Sequence, residues 1–135
     1  IKHYLSICNA GPSEVLATIA IKSRETIFAR NRDLAAENLV KLDAFFARHA
    51  DLFEWYEPDG GCIAYPRYCG NDGVESFCER LVNEAGVLLL PASAYRSELL
   101  DTPQDRFRIG YGRCGMDEAL EAFEAFLVGA VRSSV

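Results

Sequence analysis

The stretch "RFRIGYGR", residues 106–113, decides how the chain is read. In an extended strand successive side chains point to opposite faces. Phe107, Ile109 and Tyr111 then share one face, and Arg106, Arg108, Gly110 and Gly112 share the other. The first face demands a hydrophobic core. The second offers two cations beside two positions that carry no side chain.

Upstream lies the most regular periodicity in the chain. Val74, Phe77, Cys78, Leu81, Val82 and Ala85 recur at i, i+3, i+4 and i+7, which predicts a helix, and Gly86 suits the residue just past its end. Asn71 or Asp72 is placed to cap its start. "VLLLP", residues 87–91, follows at strand length, and residues 92–105 form a long irregular connection of the kind that often carries function. Beyond residue 113, Met116, Ala119, Leu120, Phe123, Phe126 and Leu127 mark an amphipathic C-terminal helix.

Further toward the N-terminus, "LFEWYEP" (residues 52–58) alternates, "DGG" signals a turn, and "CIAYPRY" (residues 62–68) reads as the return strand of an antiparallel hairpin. Residues 13–57 contain no glycine or proline. Pro12 stands where a first helical position belongs, with Gly11 as its cap. One helix over residues 12–49 would be about 55 Å long, so it either bridges two domains or breaks, with the polar "RNRD" at residues 30–33 as the expected point. The order is α, β-β, α, β, β, α. This predicts an α+β fold: a long N-terminal helix, then a small antiparallel or mixed sheet of three to four strands with helices packed on one face.

Composition narrows the function classes. A net charge of −6 and a pI near 4.9 argue against a nucleic-acid partner and against an anionic membrane surface. No apolar run reaches the ~20 residues needed to span a bilayer. The five cysteines are scattered and odd in number, a poor disulfide framework, and no Cys-x-x-Cys occurs. They are expected to be small buried hydrophobes, reduced in a cytoplasmic setting, with no metal site. The chain begins at Ile1 and its single methionine is Met116, so it is expected to be processed or a piece of something larger.

The run "ERLVNEAGVLLLPASAY", a loop, then "RFRIGYGR" resembles the C-terminal small domain of class I/II aminotransferases, the pyridoxal-phosphate (PLP) enzymes of fold type I. "KHYLSICNAGPSEVLATIA" resembles the passage from the large cofactor domain into the interdomain helix, and "EPDGGCIAYPRY" resembles the glycine-containing hairpin of the small domain. The resemblance covers nearly the whole chain. It implies that residues 1–35 are the end of the large-domain segment plus the interdomain helix, and residues 36–135 the small domain. It implies that Arg108 grips the α-carboxylate of an amino-acid or 2-oxo-acid substrate, and a guanidinium is suited to this by its two parallel charge-assisted hydrogen bonds. It also implies that Asn9 reaches the cofactor phosphate of the other subunit of a homodimer, although a plain turn residue is an equal reading. For Arg106 and Arg113 the expectation is solvated or structural charge.

The family's Schiff-base lysine, glycine-rich phosphate loop and pyridine-pairing aspartate all fall upstream of the matching segment. The three lysines here, Lys2, Lys22 and Lys41, do not match the anchoring position. The chain alone is therefore expected to be inactive and to bind no PLP covalently, the cofactor domain being the missing partner. The loop after "LLLP" has no glycine here, which leaves substrate preference open. Tyr95, Arg96 and Glu98 are candidates to line the pocket, set against a reading as solvated loop residues. The apolar helix at residues 12–29 predicts self-association of the fragment. Two alternatives stand beside the aminotransferase: a fold-type-I lyase, decarboxylase or synthase domain, and a non-enzymatic binding or oligomerisation module.

Overall fold

The computed structural model describes the backbone of residues 10–133, with side chains as far as Gly129. The chain divides into two compact units, the first ending at Asp33 and the second beginning at Leu34.

In the first unit, helix α1 (Gly11–Lys22) starts from Ala10, with Gly11 already helical. It buries none of its residues, and Val15, Leu16, Ile19 and Ile21 are all exposed. Helix α2 (Arg24–Arg48) follows after the single residue Ser23. The break therefore falls at Ser23, whereas residues 30–33 are helical. Ser23 N–H donates to Ile19 O at 3.0 Å and Ser23 O accepts from Ile27 N–H at 3.2 Å, so the i to i+4 pattern carries across the irregularity.

The second unit takes in the remainder of α2 and everything after it. Strands β1 (Phe53–Glu54), β2 (Ile63–Ala64) and β3 (Arg67–Tyr68) precede helix α3 (Val74–Ala85). Strand β4 (Leu90–Pro91), a 3-10 turn (Ala92–Tyr95), strand β5 (Phe107–Gly110) and helix α4 (Met116–Ser133) complete it. All strand pairs are antiparallel: β1 with β3, and β2-β5-β4 in a three-stranded sheet.

The hairpin holds only at its base, where Phe53 pairs with Tyr68 and Glu54 with Arg67. Nearer the turn, β2 leaves β1 and pairs with β5, Ile63 opposite Gly110 and Ala64 opposite Ile109. Two causes separate the arms. Pro66 has no N–H to give β1, and its carbonyl instead accepts from Phe107 N–H at 3.1 Å. Trp55 is drawn onto α2, where its indole stacks on Phe46 with centroids 4.5 Å apart and donates to Asp43 Oδ1 at 2.6 Å.

Helix α3 buries Val74, Phe77, Cys78 and Leu81, while Val82 stays exposed. Gly86 closes it in the left-handed region at φ 70°, where glycine alone carries no Cβ penalty. Its start has no side-chain cap. Asp72, expected there, is taken by tertiary contacts instead: Tyr68 Oη and Arg80 Nη2 both donate to it at 2.6 Å. Burial pushes the Asp72 carboxyl up, but the Tyr68 hydroxyl, a backbone N–H and Arg80 outweigh it and hold the group below its ordinary value.

The core is aromatic. Phe45 and Phe46 of α2, Phe53 of β1, Phe77 of α3, Phe107 of β5 and Phe123 of α4 are each almost wholly buried and meet in edge-on and tilted contacts. The alternation of β5 is as expected: Phe107, Ile109 and Tyr111 face this core, and Arg108 and Gly110 do not. Cysteines depart from expectation, since Cys62, Cys69 and Cys114 are exposed and only Cys78 of the four described is buried. Burial pushes the Cys78 thiol up to about 12.

Candidate functional site

Strand β5 owes its position to both edges and to a strut beneath its end. Leu90 pairs with Arg108 on one side. On the other, one register runs from the Ile63–Gly110 pair to the Arg67–Arg106 bridge, which sets Tyr65 opposite Arg108. The strut is Asn38, which the sequence reading passed over. It is 2% exposed, and its Nδ2 donates to Tyr111 O at 2.9 Å and to Arg113 O at 2.8 Å. These bonds tie the exit of β5 to α2. An asparagine among "AAENLVKL" gives no sequence signal that it is bound 73 residues away.

The two glycines of the arginine face differ. A Cβ at Gly112 would lie 2.8 Å from Cys62 Cβ, so that glycine makes room for the Cys62 side chain. At Gly110 an added Cβ would meet only Cys62 O at 3.9 Å, an ordinary contact.

The arginines of the sheet also separate. Arg67 is neutralised twice, by Asp105 at 2.5 Å and Glu54 at 2.9 Å. Arg106 is half-buried, lies 5.3 Å over the Tyr56 ring and donates from Nη1 to Tyr65 O at 3.3 Å, while its buried Nε has no partner. Arg113 is exposed and contributes its carbonyl to the Asn38 strut. Arg108 is half-buried and, among the described residues, has no carboxylate partner; its Nη1 donates to Tyr95 Oη at 3.3 Å. Tyr95 in turn meets Tyr65 edge-on, with centroids 6.1 Å apart. The sheet face thus presents an uncancelled guanidinium flanked by two tyrosines. Such a group can take an anion with two coplanar oxygens.

Of the other candidates, Arg96 and Glu98 are outside this cluster, in the connecting loop, where Arg96 is exposed. Asn9 and Lys2 lie outside the described residues. Lys41 is held by Glu37 at 2.8 Å and by Asp117 at 2.9 Å. Those hydrogen bonds, Glu37 first, raise its pKa and keep it an ammonium, the opposite of what a nucleophilic amine requires. Lys22 sits in the last turn of α1. Among the described residues, no group of three or more His, Cys, Asp or Glu is arranged to hold a metal, and no helix is long and apolar enough to cross a membrane.

No protein-family model matches the chain. It is similar to capreomycidine synthase of Streptomyces vinaceus, 26% identical over 111 residues, or 82% of this chain and 27% of that protein. Among solved structures, a PLP-dependent aminotransferase from Streptococcus suis superposes with a TM-score of 0.80 at 25% identity, over 93% of this chain and 32% of the other. The PLP-dependent cyclase OrfR superposes with a TM-score of 0.81 at 23% identity, over 96% of this chain and 35% of the other, a likeness of fold. The chain therefore spans between a quarter and about a third of the length of these relatives. Its α+β architecture is that of the small C-terminal domain of PLP-dependent enzymes.

Proposed function

We propose that this chain is the C-terminal, substrate-binding portion of a PLP-dependent aminotransferase, and that Arg108 grips the α-carboxylate of the amino acid and of the 2-oxo acid. The observation that carries the reading is the state of Arg108. It is half-buried on a strand paired along both edges, yet among the described residues no carboxylate neutralises it. A charge held in that way is suited to an external anion. Its two parallel hydrogen bonds fix the orientation of a bound carboxylate as well as its affinity.

The cofactor would be anchored covalently by a residue outside this chain and would supply the electron sink for bonds at the α-carbon. What the chain supplies is a fixed attachment point, so that a substrate enters with its carboxylate against β5. Residues 1–35 as the end of the large-domain segment and interdomain helix, 36–135 as the small domain, Asn9 at the partner's phosphate and a homodimer belong to the same proposal. In an enzyme containing this chain, Arg108→Lys is expected to raise KM for amino and 2-oxo acids about ten- to a hundredfold, the scale of a charged bidentate pair. Unchanged KM in a folded variant would remove Arg108 from the role.

A second reading has support of its own. The similarity to capreomycidine synthase, over 82% of this chain, supports synthase chemistry in place of amino-group transfer. Both readings use the same carboxylate grip. Product analysis separates them: release of a 2-oxo acid matched to the amino acid consumed supports transfer, and a product retaining its nitrogen supports the synthase.

A further inference from the structure

We infer that Tyr95 is the positioning residue of Arg108: its hydroxyl orients the guanidinium for an incoming carboxylate without cancelling its charge. The inference rests on the reading of Arg108 as the carboxylate grip and adds what makes that grip directional.

An arginine on a sheet face has several free torsions, and binding a carboxylate side-on requires the guanidinium plane to be set beforehand. The half-buried arginines of this domain are set in different ways. Arg67 is set by Asp105 and Glu54, and Arg80 by Asp72, each at the cost of its charge. Arg108 is set by a phenol. Tyr95 Oη accepts from one Nη, which leaves the edge formed by Nε and the other Nη for a ligand.

The tyrosine is itself held. It ends the 3-10 turn that begins at Ala92, which is fully buried, and Glu75 at the start of α3 accepts the Ser93 N–H at 3.2 Å. The edge-on contact with Tyr65 fixes its ring, and Tyr65 lies across the ladder from Arg108. The turn, the tyrosine pair and the strand thus form a closed circuit around one guanidinium. This also assigns a role to the glycine-free "PASAY" sequence: the loop's first turn delivers a hydroxyl to the arginine.

The test uses the 135-residue chain with arginine side chains labelled for NMR, titrated with pyruvate at constant ionic strength. In the wild type, pyruvate is expected to shift the Arg108 Nε–H signal saturably. Tyr95→Phe keeps the ring contact and, at a site 42% exposed, should leave the fold unchanged. It is expected to weaken binding about fivefold, the scale of one neutral hydrogen bond, and to speed rotation of the Arg108 guanidinium before any ligand is added. Tyr95→Glu puts a carboxylate where the phenol was and is expected to abolish pyruvate binding. Arg108→Gln is the control. If Arg108→Gln binds pyruvate like the wild type, the grip itself is wrong. If Arg108→Gln loses binding while Tyr95→Phe matches the wild type in affinity and rotation, the grip stands and the positioning role is overturned.

Discussion

The two faces of strand β5 are built from one six-residue alternation and have opposite physical tasks. On the inner face, Phe107, Ile109 and Tyr111 are packed on every side and are nearly without solvent contact. On the outer face, Arg108 has Tyr65, Tyr95 and Leu90 beside it and, among the described residues, no countercharge. The inner face holds the strand in place, and the outer face uses that rigidity to present a charge. Stability should therefore reside on one side of the strand and binding on the other, and substitutions can separate them.

The largest expected effect is on the inner side. Phe107→Ala leaves a cavity beside Phe46, Phe53 and Phe77 and should cost about 3–5 kcal/mol in urea unfolding, enough to unfold a marginal domain. Next comes the strut at the strand's exit. Asn38→Ala leaves the carbonyls of Tyr111 and Arg113 without their buried donor and should cost about 2–3 kcal/mol. Asn38→Asp, which points a carboxylate at two carbonyl oxygens, should cost more. A loss from either variant smaller than that from a surface substitution would show that β5 does not depend on α2 for its position.

Acid should weaken the domain away from the outer face. His49 first, and then Arg48, hold Glu124 below its ordinary value against the opposing effect of burial, and Asp72 is likewise held low. A carboxylate with a depressed folded-state pKa stabilises the fold fully above its unfolded value. That contribution is lost as pH falls through the folded value. Unfolding free energy should thus fall as pH drops below the ordinary carboxylate range, and Glu124→Gln should flatten part of that slope. The smallest expected effect is on the outer face, where Arg108→Gln should change stability by no more than about 0.5 kcal/mol while removing carboxylate binding. A large stability loss there would mean the two faces are not separable.

Much of this was legible from residue order. The helix at Val74–Ala85 with its closing glycine, the C-terminal helix and the two-faced strand follow from periodicities of 3.6 and 2, which local geometry imposes. The family resemblance singled out Arg108 among the arginines. Other features were illegible because their causes are distant in sequence. The apparent hairpin parts because Trp55 finds Phe46 and Asp43 on α2. Asp72 leaves its capping position because Tyr68 and Arg80 offer better partners. Asn38 acquires meaning only when β5 lies over it.

The same division applies to "RFRIGYGR". Its alternation determined by itself that one side would be buried and the other would carry Arg106 and Arg108, since a strand has no other way to place successive side chains. What each arginine would meet was decided in three dimensions. Tyr56 lies beneath Arg106, Glu54 and Asp105 neutralise Arg67, and a neutral hydroxyl reaches Arg108 from the turn at Tyr95. The charge left available depends on which partners the fold brings within a few ångströms, and no local pattern encodes that.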